Sequence, residues 1–388
     1  MKNVLIITTV SGFLEKFEKN NVKILQDMGY TVHYAANMNE QQYLFDVEKL
    51  KAKGVILHHI DIEKSPYMLR NNFKSYRQLT KIIKDNNIAL IHCHTPVGGF
   101  LGRLAGFGLR KKRLKIIYTA HGFHFYKGAP FINETIYQTA ERLMSHKTDV
   151  LVVINAEDYQ YSKTMKLRKG GKVYHIPGVG LDLEYFQPLS KEDIKQKRCK
   201  LALTQDEFMI VSVGELNENK NQRIILEAMQ KLIEENPRNC KIKYFICGDG
   251  FFSNRIDDWI GIMKLEDNVI KCGYQKDVRQ ILGCADALVF PSKREGLGMV
   301  GLEALAMGVP AIVADNRGTR EYIVNQHNGY VCKHNTVQEY IDNIKRVMER
   351  TPEQKEAMKK HCLETVKGFE QSKTNNIMQT VYREVAKL

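Results

Sequence analysis

Short apolar runs separated by longer amphipathic or polar segments recur through nearly the whole chain, and this alternation limits the fold more than any other feature. In the first half the runs are Val4–Thr8, Thr31–Ala35, Val55–Ile60, Ala89–His92, Lys115–Thr119, Val150–Ile154 and Val173–Ile176. The second half restarts with Phe208–Val213, Lys241–Cys247, Val269–Cys272, Ala287–Phe290, Ala311–Ala314 and a short Gly329–Val331. Strands alternating with helical segments predict doubly wound parallel sheets. At 388 residues the chain is too long for one ordinary core. Turn residues cluster in Ile176-Pro177-Gly178-Val179-Gly180-Leu181-Asp182 and Phe186-Gln187-Pro188, ahead of a polar, lysine-rich segment. The expected fold is therefore α/β, with two Rossmann-like domains spanning 1–186 and 187–368. A final helix within 369–388 is free to pack on either domain, including back on the first.

An apolar content of 43% with 26% charged residues marks a globular protein. The apolar start, Val4–Val10, is too short to span a membrane or serve well as a signal peptide, and reads as a buried first strand. The eight cysteines (Cys93, Cys199, Cys240, Cys247, Cys272, Cys284, Cys332 and Cys362) form no C-x-x-C pair, and a reduced cytosol is the simplest setting. Of the formal net charge of +14, residues 1–186 carry +11, from 27 Lys and Arg against 16 Asp and Glu. Between Asn86 and Asn133 lie seven basic residues and no acidic one. Such a face attracts anionic headgroups, lipid-linked diphosphates or nucleic acid, and charge alone does not choose among them.

Several strands end in segments suited to binding. The first leads into Val10-Ser11-Gly12-Phe13 and a helix with Leu14, Phe17, Val22 and Leu25 among its buried candidates, so Gly12 is placed to offer a backbone N–H to an anion. A dinucleotide fingerprint G-x-G-x-x-G is absent, which counts against an oxidoreductase. His92 and His94 share a strand face, but without a third ligand nearby in sequence no metal site is expected. Gly98–Lys115, GGFLGRLAGFGLRKKRLK, combines apolar residues with Arg103, Arg110, Lys111, Lys112 and Arg113. It reads either as an interfacial helix against lipid or as a packed helix followed by a solvated loop. In Thr119-Ala120-His121-Gly122-Phe123-His124-Phe125-Tyr126-Lys127, His121 comes first after the strand and is the better candidate to hydrogen-bond a sugar hydroxyl, with the aromatics as apolar faces for sugar rings.

In the second half Gly214-Glu215-Leu216-Asn217-Glu218-Asn219-Lys220-Asn221 leads into a helix from about Gln222, and Lys220 is placed to meet a phosphate or to remain solvated. Cys247-Gly248-Asp249-Gly250 makes a sharp turn. Within Pro291–Pro310, PSKREGLGMVGLEALAMGVP, Glu295 lies in a glycine-bearing loop and Glu303 in a helix expected over Met299–Met307, which Gly308 and Pro310 terminate. Gly296 and Gly298 allow close approach to a helix N-terminus, an anion site by construction. Its scale suits the diphosphate of a nucleotide-sugar; the alternative is a pair of solvated surface glutamates.

Taken together, these segments resemble family 4 of the glycosyltransferases, retaining enzymes of GT-B fold with two Rossmann-like domains facing each other across a cleft. PSKREGLGMVGLEALAMGVP with its E-x7-E spacing, VGELNENKN, CGDG, IPGVGLDLEYFQP and the SGF turn carry the resemblance, which covers essentially the whole chain. HTPVGGFLGRLA and YTAHGFHFYKG are most similar to enzymes of bacterial exopolysaccharide and capsule assembly. The resemblance implies a nucleotide-sugar donor, expected to be UDP-linked, with a membrane-associated polyprenyl-diphosphate saccharide as acceptor. It also implies a place at the inner face of the cell membrane and front-face, retaining transfer on domain closure. Glu303 would bind the ribose hydroxyls and Glu295 the transferred sugar. Gly298, Met299 and Val300 would hold the diphosphate, joined by Gly12; Lys220 would neutralise the leaving phosphate and His121 would bind the sugar. Arg103 and Arg110–Arg113 would face acceptor or membrane. The family's arginine after the second-domain glycine is replaced by Glu215, a carboxylate that cannot bind phosphate. Arg294, Arg317 or Arg320 is the expected substitute, Arg320 first. With no D-x-D motif, neither metal nor cofactor is expected.

Two other readings are a nucleotide-sugar epimerase of the same fold, which needs no lipid-facing surface, and a basic nucleic-acid-binding protein, which lacks recognisable recognition motifs.

Overall fold

The computed structural model describes residues 2–40, 45–109, 114–125, 131–235 and 241–387. It divides into two compact units, Met1–Gly180 with Ser372–Leu388, and Leu181–Gln371.

The first unit is built on strands β1 (Lys2–Val10), β2 (Tyr30–Asn37), β3 (Ile56–His59), β4 (Ile88–His94), β5 (Lys115–Ala120), β6 (Val150–Val153) and β7 (Lys172–His175). All pair in parallel in the order β3-β2-β1-β4-β5-β6-β7. A π-helical turn, Leu14–Glu18, opens into α1 (Lys19–Asp27). The connections continue with α2 (Val47–Ala52), α3 (Leu69–Asp85), α4 (Pro96–Gly108), α5 (Phe131–Ser145) and α6 (Ala156–Ser162). Val4 to Val10 of β1 are buried without alternation, as a strand covered on both faces requires.

Within the Gly98–Lys115 segment, Gly98–Gly108 folds as a packed helix, not as an interfacial one. A Cβ at Gly99 would come within 2.4 Å of the Tyr118 ring, and one at Gly106 within 2.7 Å of Ile91. The glycines that weaken α4 in isolation thus let it lie close on β4 and β5. Arg103 does not face acceptor or membrane. It is 1% exposed, donates through Nε to the Gly99 carbonyl at 2.8 Å, and pairs through Nη1 with Glu141 at 2.8 Å. Its guanidinium lies 3.9 Å from the Tyr118 ring centroid, and the Tyr118 hydroxyl also donates to Glu141. A charge this deep requires such a set of partners. Arg110, Lys111, Lys112 and Arg113 lie outside the described residues.

The second unit has β8 (Phe208–Val213), β9 (Ile242–Cys247), β10 (Val269–Gly273), β11 (Ala287–Phe290), β12 (Ala311–Ala314) and β13 (Gly329–Cys332), parallel in the order β10-β9-β8-β11-β12-β13. Its helices are α7 (Lys191–Lys200), α8 (Gln222–Glu235), α9 (Ser253–Ile262), α10 (Arg279–Leu282), α11 (Met299–Ala306), α12 (Val337–Met348) and α13 (Pro352–Val366). Gly308 follows α11 at φ 76°, the left-handed stop expected of it. The last helix, α14 (Gln371–Lys387), packs on the first unit, where Tyr382 bonds His92 and Glu384 pairs with Lys172. Among the described residues no helix is long and apolar enough to cross a membrane.

Candidate active site

Open parallel sheets bind ligands beyond the carboxyl ends of their strands, where the strand order reverses. In the first unit that point lies between β1 and β4, and in the second between β8 and β11.

At the first, the Ser11-Gly12-Phe13 turn is fixed from below by the Tyr34 hydroxyl, which donates to the Val10 and Ser11 carbonyls at 2.9 Å each. Phe13 sets its ring edge-on to His121 at 5.1 Å, so the residue that follows Gly12 packs against His121. His121 Nε2 lies 3.1 Å from His94 Nδ1, on a side chain that is 21% exposed. Behind this pair stands Glu18, 3.4 Å from His94 and 3.8 Å from His121, its second oxygen accepting from Asn21 at 2.6 Å. Sequence reasoning missed Glu18, because a carboxylate in an amphipathic helix reads as a surface group.

Ligand-capable atoms of Glu18, His92 and His94 all lie within 4.8 Å of one another. Both ring nitrogens of His92 are already engaged at 2.8 Å, with the Tyr382 and Thr119 hydroxyls. Coordination there would strand a buried hydroxyl, so the cluster is better suited to hydrogen bonding.

Burial pushes the Glu18 carboxyl up to about 8, against a weaker opposing bond from Asn21, and pushes His121 down to about 4 and His94 well below its usual range. At neutral pH burial favours the uncharged form of all three, with His94 and His121 hydrogen-bonded to each other and Glu18 close to both. From about 4.5 to 8 the folded chain keeps a Glu18 proton that the unfolded chain has released, so stability falls as pH rises. His121 acts in the opposite sense between about 4 and 6.5. Between pH 6.5 and 8 the Glu18 contribution therefore stands alone in this cluster. Unfolding the wild type in urea should show a loss approaching about 1.4 kcal/mol per pH unit there, and Glu18→Gln should be nearly flat. Parallel pH curves for the two proteins would contradict the assignment.

In the second unit the loops after β8, β9 and β11 are stitched together. A Cβ at Gly248 would sit 1.8 Å from the Gly214 carbonyl oxygen, so the two turns meet backbone to backbone and only glycine fits. Lys293 N donates to the Asn219 carbonyl at 2.8 Å, and Asn219 Nδ2 to that of Arg294 at 3.0 Å. The result places Lys220 Nζ 2.6 Å from Glu295 Oε1, both side chains largely buried, with Nζ 5.0 Å from the Phe290 ring centroid. Two residues 75 positions apart, each singled out in the sequence, are thus in direct contact.

Beside them α11 begins at Gly298, left-handed at φ 83°, with Met299 and Val300 half-buried in its first turn. The Tyr322 hydroxyl donates to the Gly298 carbonyl at 3.0 Å, and a Cβ at Gly301 would meet that hydroxyl at 2.2 Å. Burial, then the charges of Glu295 and Glu303, hold the Tyr322 phenol well above its usual range. Tyr322 thus feels the charge of both glutamates and braces the start of α11. Its own segment, NRGTREY, was notable in sequence only for its arginines. Of these, Arg317 is buried, while Arg320 is 56% exposed and bonds Asp315 at 2.6 Å. Arg294 is half-buried, and Glu215 is exposed.

Residues 4–204 match the family described as "Glycosyl transferase 4-like", and residues 193–362 that described as "Glycosyl transferases group 1". The chain is 35% identical to the protein named glycosyltransferase EpsD of Bacillus subtilis (strain 168), over 98% of this chain and 96% of that one. It is 29% identical to the UDP-Gal:alpha-D-GlcNAc-diphosphoundecaprenol alpha-1,3-galactosyltransferase of Escherichia coli, over 80% and 81%. Among solved structures, HepE of Anabaena in complex with UDP superposes with a TM-score of 0.76 at 18% identity, over the whole of both chains. With its two parallel-sheet, Rossmann-like units, the chain is a glycosyltransferase of family 4 with the GT-B fold.

Proposed function

We propose that the enzyme transfers a hexosyl or N-acetylhexosaminyl group from a UDP-sugar to a polyprenyl-diphosphate-linked saccharide, with retention of anomeric configuration, in bacterial surface-polysaccharide assembly at the inner face of the cell membrane. The observation that carries the reading is the Lys220–Glu295 contact at 2.6 Å beside the start of α11, at the switch point of the second unit. Support also comes from the E. coli relative, whose name gives a UDP-galactose donor and a diphosphoundecaprenol acceptor, and from HepE, whose structure was solved in complex with UDP.

In this reading the backbone N–H groups of Gly298, Met299 and Val300 bind the diphosphate, and Lys220 neutralises the charge that gathers on the leaving oxygen. Arg320 or Arg294 adds a further cation. Glu303 accepts hydrogen bonds from the ribose, and Glu295 holds the sugar while orienting Lys220. In the first unit Gly12 is offered to the diphosphate and the neutral His121 to a sugar hydroxyl. The bond from the anomeric carbon to the phosphate oxygen breaks as the acceptor hydroxyl bonds to the same face, and the departing phosphate takes the hydroxyl proton. These groups supply the charge stabilisation without a metal.

Glu303→Ala should weaken UDP binding about tenfold or more, through the loss of a charged acceptor worth about 1.5–3 kcal/mol, with turnover at saturating donor reduced much less. Titration calorimetry with UDP measures this directly, and an unchanged affinity would remove Glu303 from the donor site.

A further inference from the structure

The first unit carries an apolar surface that its sheet and core do not explain. Tyr67, Met68, Leu69 and Phe73 are 73%, 50%, 74% and 56% exposed, on the turn into α3 and its first helical turn. The turn is held in place. Buried Asn72 donates to the Ser65 carbonyl at 2.9 Å and accepts from Glu63 N at 3.1 Å, and the Ser65 hydroxyl accepts from Tyr67 N. Four large apolar side chains are thus presented outward by a built scaffold.

Their setting selects the partner. From Lys64 to Lys84 the sequence has six cations, Lys64, Arg70, Lys74, Arg77, Lys81 and Lys84, and no carboxylate. All six are exposed, while Asn72, Ser75, Leu79 and Ile83 turn inward. Arg77 lies 4.5 Å from the Phe73 ring centroid, so cations flank the apolar tip directly. Lys74 pairs with Asp61, Lys81 with Asp85 and Lys64 with Glu40, which leaves Arg70, Arg77 and Lys84 as the cations of the row for an anionic surface. An apolar, aromatic tip followed by a row of cations on one helix face is the chemistry of a bilayer interface: the tip enters the acyl boundary while the cations lie on anionic headgroups.

We infer that Tyr67, Met68, Leu69 and Phe73, with the basic face of α3, dock this protein on an anionic bilayer surface. The inference deepens the proposed use of a lipid-linked acceptor and rests on it for its purpose, although the surface can be tested apart from catalysis.

The test is co-sedimentation of the full chain with vesicles of phosphatidylcholine alone and of an equal mixture with phosphatidylglycerol, beside turnover of a water-soluble acceptor analogue. The expected result is binding to the anionic vesicles that falls with salt and is far weaker on the neutral ones. A Tyr67→Ser/Leu69→Ser/Phe73→Ser variant should lose at least tenfold in vesicle affinity, and Arg70→Gln/Arg77→Gln/Lys84→Gln should lose the preference for anionic lipid, both with soluble-analogue turnover unchanged. Wild-type failure to bind, undiminished binding by the serine variant, or a wild-type dimer that the serine variant abolishes would each overturn the inference. Vesicle binding without any transfer to a lipid-linked saccharide would sink the proposed function and leave the docking surface standing.

Discussion

Replacing Lys220 with alanine should lower the rate of sugar transfer by about 10²- to 10³-fold, the usual cost of removing one preorganised charge from a developing oxyanion. The effect should fall mainly on turnover, because the leaving oxygen acquires most of its charge only as the glycosidic phosphate bond breaks. A second contribution comes from Glu295. With Lys220 gone, a carboxylate whose side chain is only 13% exposed loses its 2.6 Å partner and is no longer held in one orientation. Lys220→Ala/Glu295→Gln should therefore be little worse than Lys220→Ala alone, since the two residues act as a unit. Single-turnover kinetics with a soluble acceptor measure the chemical step. Additive losses in the double variant would show that the two residues contribute independently and do not act as a unit.

The second large effect concerns stability. Arg103→Ala should destabilise the first unit by about 3–5 kcal/mol, because it leaves Glu141 with an uncompensated buried charge. It also removes the guanidinium stacked on Tyr118 and bonded to the Gly99 carbonyl. Arg103→Leu paired with Glu141→Leu should recover much of the loss, since a buried pair replaced by apolar groups is often near neutral. Urea unfolding followed by circular dichroism decides the matter. A loss below about 1 kcal/mol for Arg103→Ala, joined to weakened vesicle binding, would instead return Arg103 to the membrane face.

How far the sequence could be read depended on whether the deciding contact was local. Phe208–Val213, Ala287–Phe290 and Ala311–Ala314 appear as strands with the expected ends, because burial on both faces leaves an unbroken apolar run. β4 runs on through His94 instead of ending at His92, since its last residues are polar groups buried by hydrogen bonds that periodicity does not reveal. The second-unit loop chemistry was legible because glycine turns and a lysine ahead of a helix are local signals, and the structure brings Lys220 and Glu295 together.

The remainder was set by tertiary contact. The five glycines in α4 read as helix-weakening, whereas the structure uses three of them, Gly99, Gly102 and Gly106, for close approach to Tyr118, Cys93 and Ile91. Arg103 belonged by sequence to a basic cluster, and its partner Glu141 lies 38 residues away. Glu18 and Tyr322 carry no sequence mark of their roles; one is recognised by its burial beside two histidines, the other by its bond beneath the first turn of α11. The exposed tip of α3 was equally hidden, because Tyr67, Leu69 and Phe73 resemble core residues until the fold turns them outward.

The most direct measurement is incubation of the purified enzyme with a panel of UDP-sugars and a polyprenyl-diphosphate-linked saccharide, with the product mass and the anomeric proton coupling of the new linkage read from the same sample. A single-sugar mass increase with the donor's anomeric configuration is the predicted result. An inverted linkage, or consumption of donor with no sugar added to the lipid-linked saccharide, would contradict it.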